Sequence, residues 1–122
     1  MGKLTRDEIA AMIDYASALN PNATKDDIIK SCNDAIENKF NAVAVTPDYV
    51  ALAARQLKGS GVKVLAAVGF PWGSNTTETK VFETKQAIKK MSKMDFINFA
   101  EEMRSNLGND SIMLYKLKGL LE

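Results

Sequence analysis

The chain has 122 residues, with 16 basic and 15 acidic side chains, one cysteine and no histidine. This length favours one domain with a core of its own. The balanced charge argues against a nucleic-acid-binding surface, and the lack of histidine removes the usual general base near neutral pH. No apolar run approaches the ~20 residues of a membrane span. A lone Cys32 and a start without an apolar leader predict a protein of the reducing cytoplasm.

The first predicted element is a short helix. Thr5 and Glu8 have the spacing of a capping box, in which each side chain bonds the backbone N–H of the other residue. The apolar residues Ile9, Met12 and Ile13 follow at helical spacing. The sequence therefore predicts a helix that runs through Ile13.

A second capping box, Thr24 with Asp27, predicts a longer helix. Before it, Asn20-Pro21-Asn22 is typical of a turn, and the residues from Tyr15 onward are either a weak strand or an extended segment. The helix carries an apolar stripe: Ile28, Ile29, Cys32, Ala35, Ile36 and Phe40.

Strands and helices then alternate. Residues 42–45 form a short apolar run that ends at Pro47, a residue suited to the first turn of a helix. That helix continues to the Gly59-Ser60-Gly61 stop, a buried strand follows over 62–68, and a further helix runs from about 78 to 91. Alternation with short loops predicts an α/β fold with a parallel sheet.

The character of the chain changes after this helix. Ser92 and Asp95 form a third capping box, and Gly108 is a fitting helix end. A final helix is predicted from Ile112 to about Leu121. Between the Ser92 cap and Gly108, an apolar stripe recurs at helical spacing: Met94, Ile97, Ala100, Met103 and Leu107. The C-terminal part is therefore predicted to be helical, with an apolar face that covers the sheet or a partner chain.

The most informative stretch links the 62–68 strand to the next helix. The chain passes through Phe70-Pro71-Trp72-Gly73 and restarts at Thr76. In parallel α/β folds, ligands bind at the carboxyl ends of strands. Phe70 and Trp72 either border a pocket there or meet a partner chain, and the helix start either holds an anion or faces water.

Several segments together resemble the N-terminal half of the deoxyribose-phosphate aldolase family, which are class I aldolases on a (β/α)8 barrel. The resemblance covers about residues 13–90. It is carried by Ile13-Asp14-Tyr15, Pro21-Asn22-Ala23-Thr24, residues 41–47, Gly59-Ser60-Gly61-Val62-Lys63-Val64, residues 68–73, and Thr76-Thr77-Glu78 with Lys80, Glu83 and Ala87.

The resemblance implies Schiff-base cleavage of 2-deoxyribose 5-phosphate to acetaldehyde and glyceraldehyde 3-phosphate, without a cofactor or metal. It places the Schiff-base lysine, a second lysine and the phosphate-binding residues on later strands, beyond the last residue of this sequence. Tyr15 stands where the family has a histidine, and Ala44 stands where it has a cysteine. We therefore expect little aldolase activity from the chain alone.

The resemblance also suggests candidate site residues. Asp95 is either a remnant of the family's catalytic aspartate strand or the acidic member of a helix cap. Asp14 is either an acid/base group or a solvated residue that ends the first helix. Lys116 either imitates the nucleophilic amine or lies on an exposed helix face, and Lys63 is expected at the surface. Phe70, Trp72 and Thr76 are the candidate substrate-binding residues. Cys32 is expected to be a buried, inert thiol.

Together these observations predict one domain over 1–122, family-like over 13–90 and divergent over 91–122, built as a partial, half TIM-barrel-like sheet. The preferred function is an aldolase-derived fragment or engineered rearrangement. The alternatives are a divergent class I aldolase and a scaffold reused for binding or oligomerisation. Exposed sheet edges predict a homo-oligomer, with a dimer favoured. A small phosphorylated aldehyde or sugar is the expected ligand, with no nucleic-acid or membrane partner.

Overall fold

The computed structural model describes residues 2–91, which form a three-stranded parallel sheet with helices between the strands. The predictions for Ser92–Leu107 and Ile112–Leu121 lie outside these residues. The elements are α1 (Arg6–Ala10), β1 (Asp14–Tyr15), α2 (Lys25–Asn38), β2 (Ala42–Val45), a 3₁₀ turn (Pro47–Tyr49), α3 (Val50–Leu57), β3 (Lys63–Ala66) and α4 (Thr77–Lys90).

The strands lie side by side in chain order, β1-β2-β3. In register, Asp14 pairs with Ala42 and Ala42 with Lys63. The α/β fold and its parallel sheet are thereby confirmed. The predicted 62–68 strand is shorter than expected and covers Lys63–Ala66; Gly69, with a positive φ of 68°, follows three residues later.

Of the three predicted capping boxes, the two that lie within the described residues are both present. The Thr5 hydroxyl accepts from the Glu8 N–H, and the Glu8 carboxylate accepts from the Thr5 N–H. The Thr24 and Asp27 pair repeats the arrangement at the start of α2. Each box satisfies N–H groups that have no partner within the first helical turn.

The first helix is shorter than its sequence pattern predicts. It ends at Ala10, and the N–H groups of Met12 and Ile13 bond the carbonyls three residues earlier, at 3.0 Å each. These tighter turns release the chain into β1. Because α1 ends at Ala10, the prediction that the helix runs through Ile13 is wrong. Ile9 and Met12, which have helical spacing, are both exposed.

The core lies between the sheet and the helices. Tyr15, Val43 and Val64 share one face of the sheet, since each is paired in register with the next, and they pack against the helices. The fully buried members of this core include Ile28, Cys32, Ala35, Val43, Val45, Val50 and Ala53. In the described part of the chain, no helix has the length and hydropathy needed to span a bilayer.

The opposite face of the sheet carries the alternate strand residues. Asp14, Ala42 and Lys63 form one row, and Ala44 pairs with Leu65 in the next. Among residues 2–91, β1 and β3 are each paired on one side only. The described segment is therefore an open sheet with two edges, because three strands cannot satisfy the strand number and stagger of a closed barrel.

Candidate functional site

The carboxyl end of β3 leads into a compact loop over residues 69–73, here called the 69–73 loop. Gly69 and Gly73 both have positive φ values, 68° and 65°, which side chains other than glycine seldom adopt. The Gly73 N–H donates to the Gly69 carbonyl at 2.7 Å and closes the loop. This sharp turn places residues 70–72 beyond the end of the strand.

Thr76 caps α4, the helix that follows. Its hydroxyl accepts from the Thr79 N–H at 3.4 Å, and the two threonine hydroxyls lie 2.9 Å apart. The expected helix start is therefore present, one residue before Glu78. The Thr76 hydroxyl serves the helix itself, which accounts for this residue type without a ligand.

Phe70 and Trp72 are presented to solvent by the 69–73 loop. Their exposed fractions are 48% and 86%. A cavity of about 190 Å³ lies elsewhere, between the end of α3 and the start of β3. Neither aromatic side chain lines that cavity, whose walls include Ala54, Leu57, Lys58, Val62, Lys63 and Val64.

A row of polar side chains crosses the amino ends of the three strands. The Asn41 amide donates to the Asp14 carboxylate at 2.8 Å, and Lys63 Nζ donates to the Asn41 amide oxygen at 3.1 Å. Asn41 thus links an acid to a cation that are 49 positions apart in the sequence, from 14 to 63. Lys63 is half-buried, whereas the sequence predicted a surface lysine.

The structure does not bring all the predicted site residues together. Asp14 lies in the row of Lys63, at the start of β3, whereas Trp72 lies beyond its far end. From Lys63 to Ala66 the strand alone spans about 10 Å, at 3.3 Å per residue. Asp14 does not end a helix; it belongs to β1 and is exposed. Asp95 and Lys116 lie outside the described residues.

Tyr15 and Cys32 both belong to the helix side of the sheet. The Tyr15 hydroxyl donates to the Asp34 carboxylate at 3.3 Å, and its ring packs against Phe40. The hydrogen bond from Lys30 lowers the pKa of Asp34. Burial raises the pKa of the Cys32 thiol to about 11, so this cysteine is buried and poorly nucleophilic, as expected.

Sequence reasoning gave no role to three residues that organise the site. Asn41 bridges Asp14 and Lys63, while Glu83 and Lys80 of α4 bond the backbone of the 69–73 loop. Spacing along the chain cannot reveal such contacts, because each joins different elements. The nearest sequence signal was the presence of Lys80 and Glu83 in a family-like helix.

Comparison with known proteins finds relatives that are named deoxyribose-phosphate aldolase. No protein-family model matches the sequence. A Bacillus subtilis (strain 168) protein named deoxyribose-phosphate aldolase is 41% identical over 115 residues, which is 93% of this chain and 50% of that protein. The chain thus spans about half the length of this curated relative.

Solved structures carry the same name. A Coccidioides immitis protein described as a deoxyribose-phosphate aldolase superposes with a TM-score of 0.68 and 36% identity, over 74% of this chain and 35% of its own. A tetrameric deoxyribose phosphate aldolase from Aeropyrum pernix superposes with a TM-score of 0.67 over 83% of this chain and 50% of its own, at 20% identity. At that identity the second likeness shows the fold alone.

Proposed function

This chain is related to the deoxyribose-phosphate aldolase family over most of its own length, and we propose that residues 13–90 form three strand–helix units of an aldolase barrel. The proposal is supported chiefly by the 69–73 loop, which lies at the carboxyl end of a parallel strand and presents Phe70 and Trp72 to solvent. Barrel enzymes bind substrates at this edge.

Within such a barrel, each part of the segment has a distinct role. The register row of Asp14, Ala42 and Lys63 lies on the sheet face opposite the helices, which is the interior face of a closed barrel, and the Asn41 amide bridges Asp14 and Lys63. Asp14 is proposed as an acid/base group held in place by the Asn41 amide, and the substrate would have to reach it from the carboxyl edge through the barrel interior. Phe70, Trp72 and Thr76 are proposed to border the site of a small phosphorylated aldehyde or sugar.

We also propose that the 122-residue chain has no aldolase activity by itself. Schiff-base formation requires an amine that is partly neutral near pH 7, in a dry pocket. Among the described lysines only Lys63 and Lys80 are part-buried, and both donate to oxygen acceptors. The hydrogen bond to Asp34 raises the pKa of Lys30, which is the opposite of what catalysis requires.

Borohydride trapping tests this second proposal. The chain is incubated with acetaldehyde, reduced, digested and analysed by mass spectrometry, beside an assay of retro-aldol turnover on deoxyribose 5-phosphate. We expect no site-specific adduct and no turnover. An adduct at Lys116, with turnover that is lost in Lys116→Ala and kept in Lys118→Ala, would instead establish a divergent class I aldolase.

A chimera tests whether residues 13–90 are a working aldolase segment. They replace the aligned residues of the Bacillus subtilis relative, and retro-aldol activity is measured with and without Asp14→Asn. We expect measurable activity that falls by at least ten-fold in Asp14→Asn, since one positioned acid or base supplies roughly 10²–10⁴-fold. A folded chimera with no activity contradicts the proposal.

We further propose that the chain self-associates, with a dimer favoured as the commonest closed assembly. Two features of the described residues support this: sheet edges paired on one side only, and exposed apolar side chains at Leu4, Met12, Trp72 and Phe82. Light scattering at high micromolar concentration tests it. A single 13.4 kDa species would show that the chain is a monomer.

A further inference from the structure

Two side chains of α4 bond the backbone of the 69–73 loop at both of its ends. The Glu83 carboxylate accepts from the Gly69 N–H at 2.7 Å, and Lys80 Nζ donates to the Gly73 carbonyl at 2.9 Å. Positions 80 and 83 are three apart on one helix and therefore lie on the same face. One face of α4 thus forms hydrogen bonds to both the first and the last residue of the loop.

The Lys80 side chain also packs against the loop. Gly69 is buried, and a Cβ placed on it would lie 3.1 Å from Cδ of Lys80. The aliphatic part of Lys80 therefore lies directly against the Gly69 backbone, while its ammonium group reaches the far end of the loop. Charge-assisted hydrogen bonds of this kind are stronger than neutral ones.

We propose that Lys80 and Glu83 are positioning residues, which hold the 69–73 loop in the conformation that presents Phe70 and Trp72 at the carboxyl edge of the sheet. The inference rests on the proposed function, because that function makes this edge the substrate side. The pair acts through the loop backbone and does not itself contact the substrate.

The same contacts define what the loop offers to a ligand. The Gly69 N–H is already bonded to a carboxylate, so it is not available to a phosphate or another anion. What the loop exposes is the aromatic surface of Phe70 and Trp72. It therefore offers an apolar surface to the C–H groups of a sugar or aldehyde chain.

Trp72 makes the proposal directly measurable, because it is the one tryptophan of the chain. The experiment compares Glu83→Ala with the wild type in two signals: fluorescence anisotropy of Trp72, and amide hydrogen exchange at Gly69 by NMR. We expect lower anisotropy and exchange at Gly69 that is roughly ten-fold faster or more, given the strength of hydrogen bonds to charged groups. Glu83→Gln should restore most of both signals, since its amide oxygen still accepts from the N–H.

Matched controls separate this effect from general destabilisation. Glu37→Ala makes the same chemical change as Glu83→Ala at an exposed position of α2, and Lys85→Met makes the same change as Lys80→Met at an exposed position of α4. If Glu83→Ala behaves as Glu37→Ala does in both signals, the proposal is wrong. If Glu83→Ala does not fold, the test uses Lys80→Met, which keeps the aliphatic stem of the side chain and removes the hydrogen-bond donor. A decrease in Trp72 anisotropy in this variant supports the proposal, and unchanged anisotropy contradicts it.

None of these measurements requires catalysis. An inactive chimera whose Gly69 exchange still depends on Glu83 would refute the proposed function and leave the positioning role standing. An active chimera that is insensitive to Glu83→Ala in activity, anisotropy and exchange would refute the positioning role alone.

Discussion

Replacement of Ile28 by alanine tests the core most directly. Ile28 lies on α2, has no exposed surface and belongs to the cluster between α2 and the sheet. Loss of its outer carbons removes about three methylene equivalents, roughly 2.4 kcal/mol of transfer free energy at ~0.8 kcal/mol each. The residual cavity adds to this cost, and the better helix propensity of alanine offsets a few tenths. We expect the free energy of unfolding to fall by about 2–4 kcal/mol, against a total of roughly 5–15 kcal/mol for a domain.

Ile36→Ala is the matched control for this experiment. It makes the same change on the same helix, but Ile36 is 39% exposed, so we expect a smaller loss, of about 1 kcal/mol. The assay is urea unfolding followed by far-UV circular dichroism, with the two midpoints compared at a common m-value. Equal losses in the two variants would refute the reasoning, because they would show that α2 does not bury one face only.

Three further predictions concern α2. Thr24→Ala should lower the free energy of unfolding by about 1 kcal/mol in urea, since its hydroxyl accepts from the Asp27 N–H at 3.2 Å. Cys32, whose burial raises its thiol pKa to about 11, should react with a thiol reagent slowly until urea unfolds the chain; fast native-state labelling would contradict its burial. The Thr24 N–H and hydroxyl lower the pKa of Asp27, so its stabilisation is present above the unfolded-state pKa of about 3.9 and is lost as pH falls through the folded-state value. Urea titrations at several pH values should therefore show a flatter acid dependence for Asp27→Asn.

Local signals in the sequence predicted most of the described fold. The capping boxes at Thr5 and Thr24 were recognisable because both partners lie within four residues. The strand Ala42–Val45 was recognisable from its apolar run and the proline that follows it. The length of α1 could not be recognised from the sequence, because Ile9 and Met12 have helical spacing yet both are exposed. Apolar periodicity alone does not show that a face is buried.

The candidate site was only partly predictable. The 69–73 loop and its Thr76 cap follow from a glycine-bounded segment between a strand and a helix. The bridging role of Asn41 and the hydrogen bond from the Gly69 N–H to Glu83 join residues that are 14 or more positions apart in the sequence. Such pairs are decided by sheet register and helix docking, which no short window of sequence contains.

The order of the strands has a consequence for synthesis. Because β1, β2 and β3 neighbour one another in chain order, each strand pairs with the one made just before it, and no strand waits for a later partner to be inserted between two others. Domains form as units while the chain emerges from the ribosome, N-terminal part first. Each pairing joins the nearest strands along the chain, from position 14 to 42 and from 42 to 63, which keeps the loop-closure entropy low for a parallel sheet. This sheet is therefore suited to grow by addition at its β3 edge, so that nascent chains stalled just after α4 should already protect the β1–β2 amides from exchange.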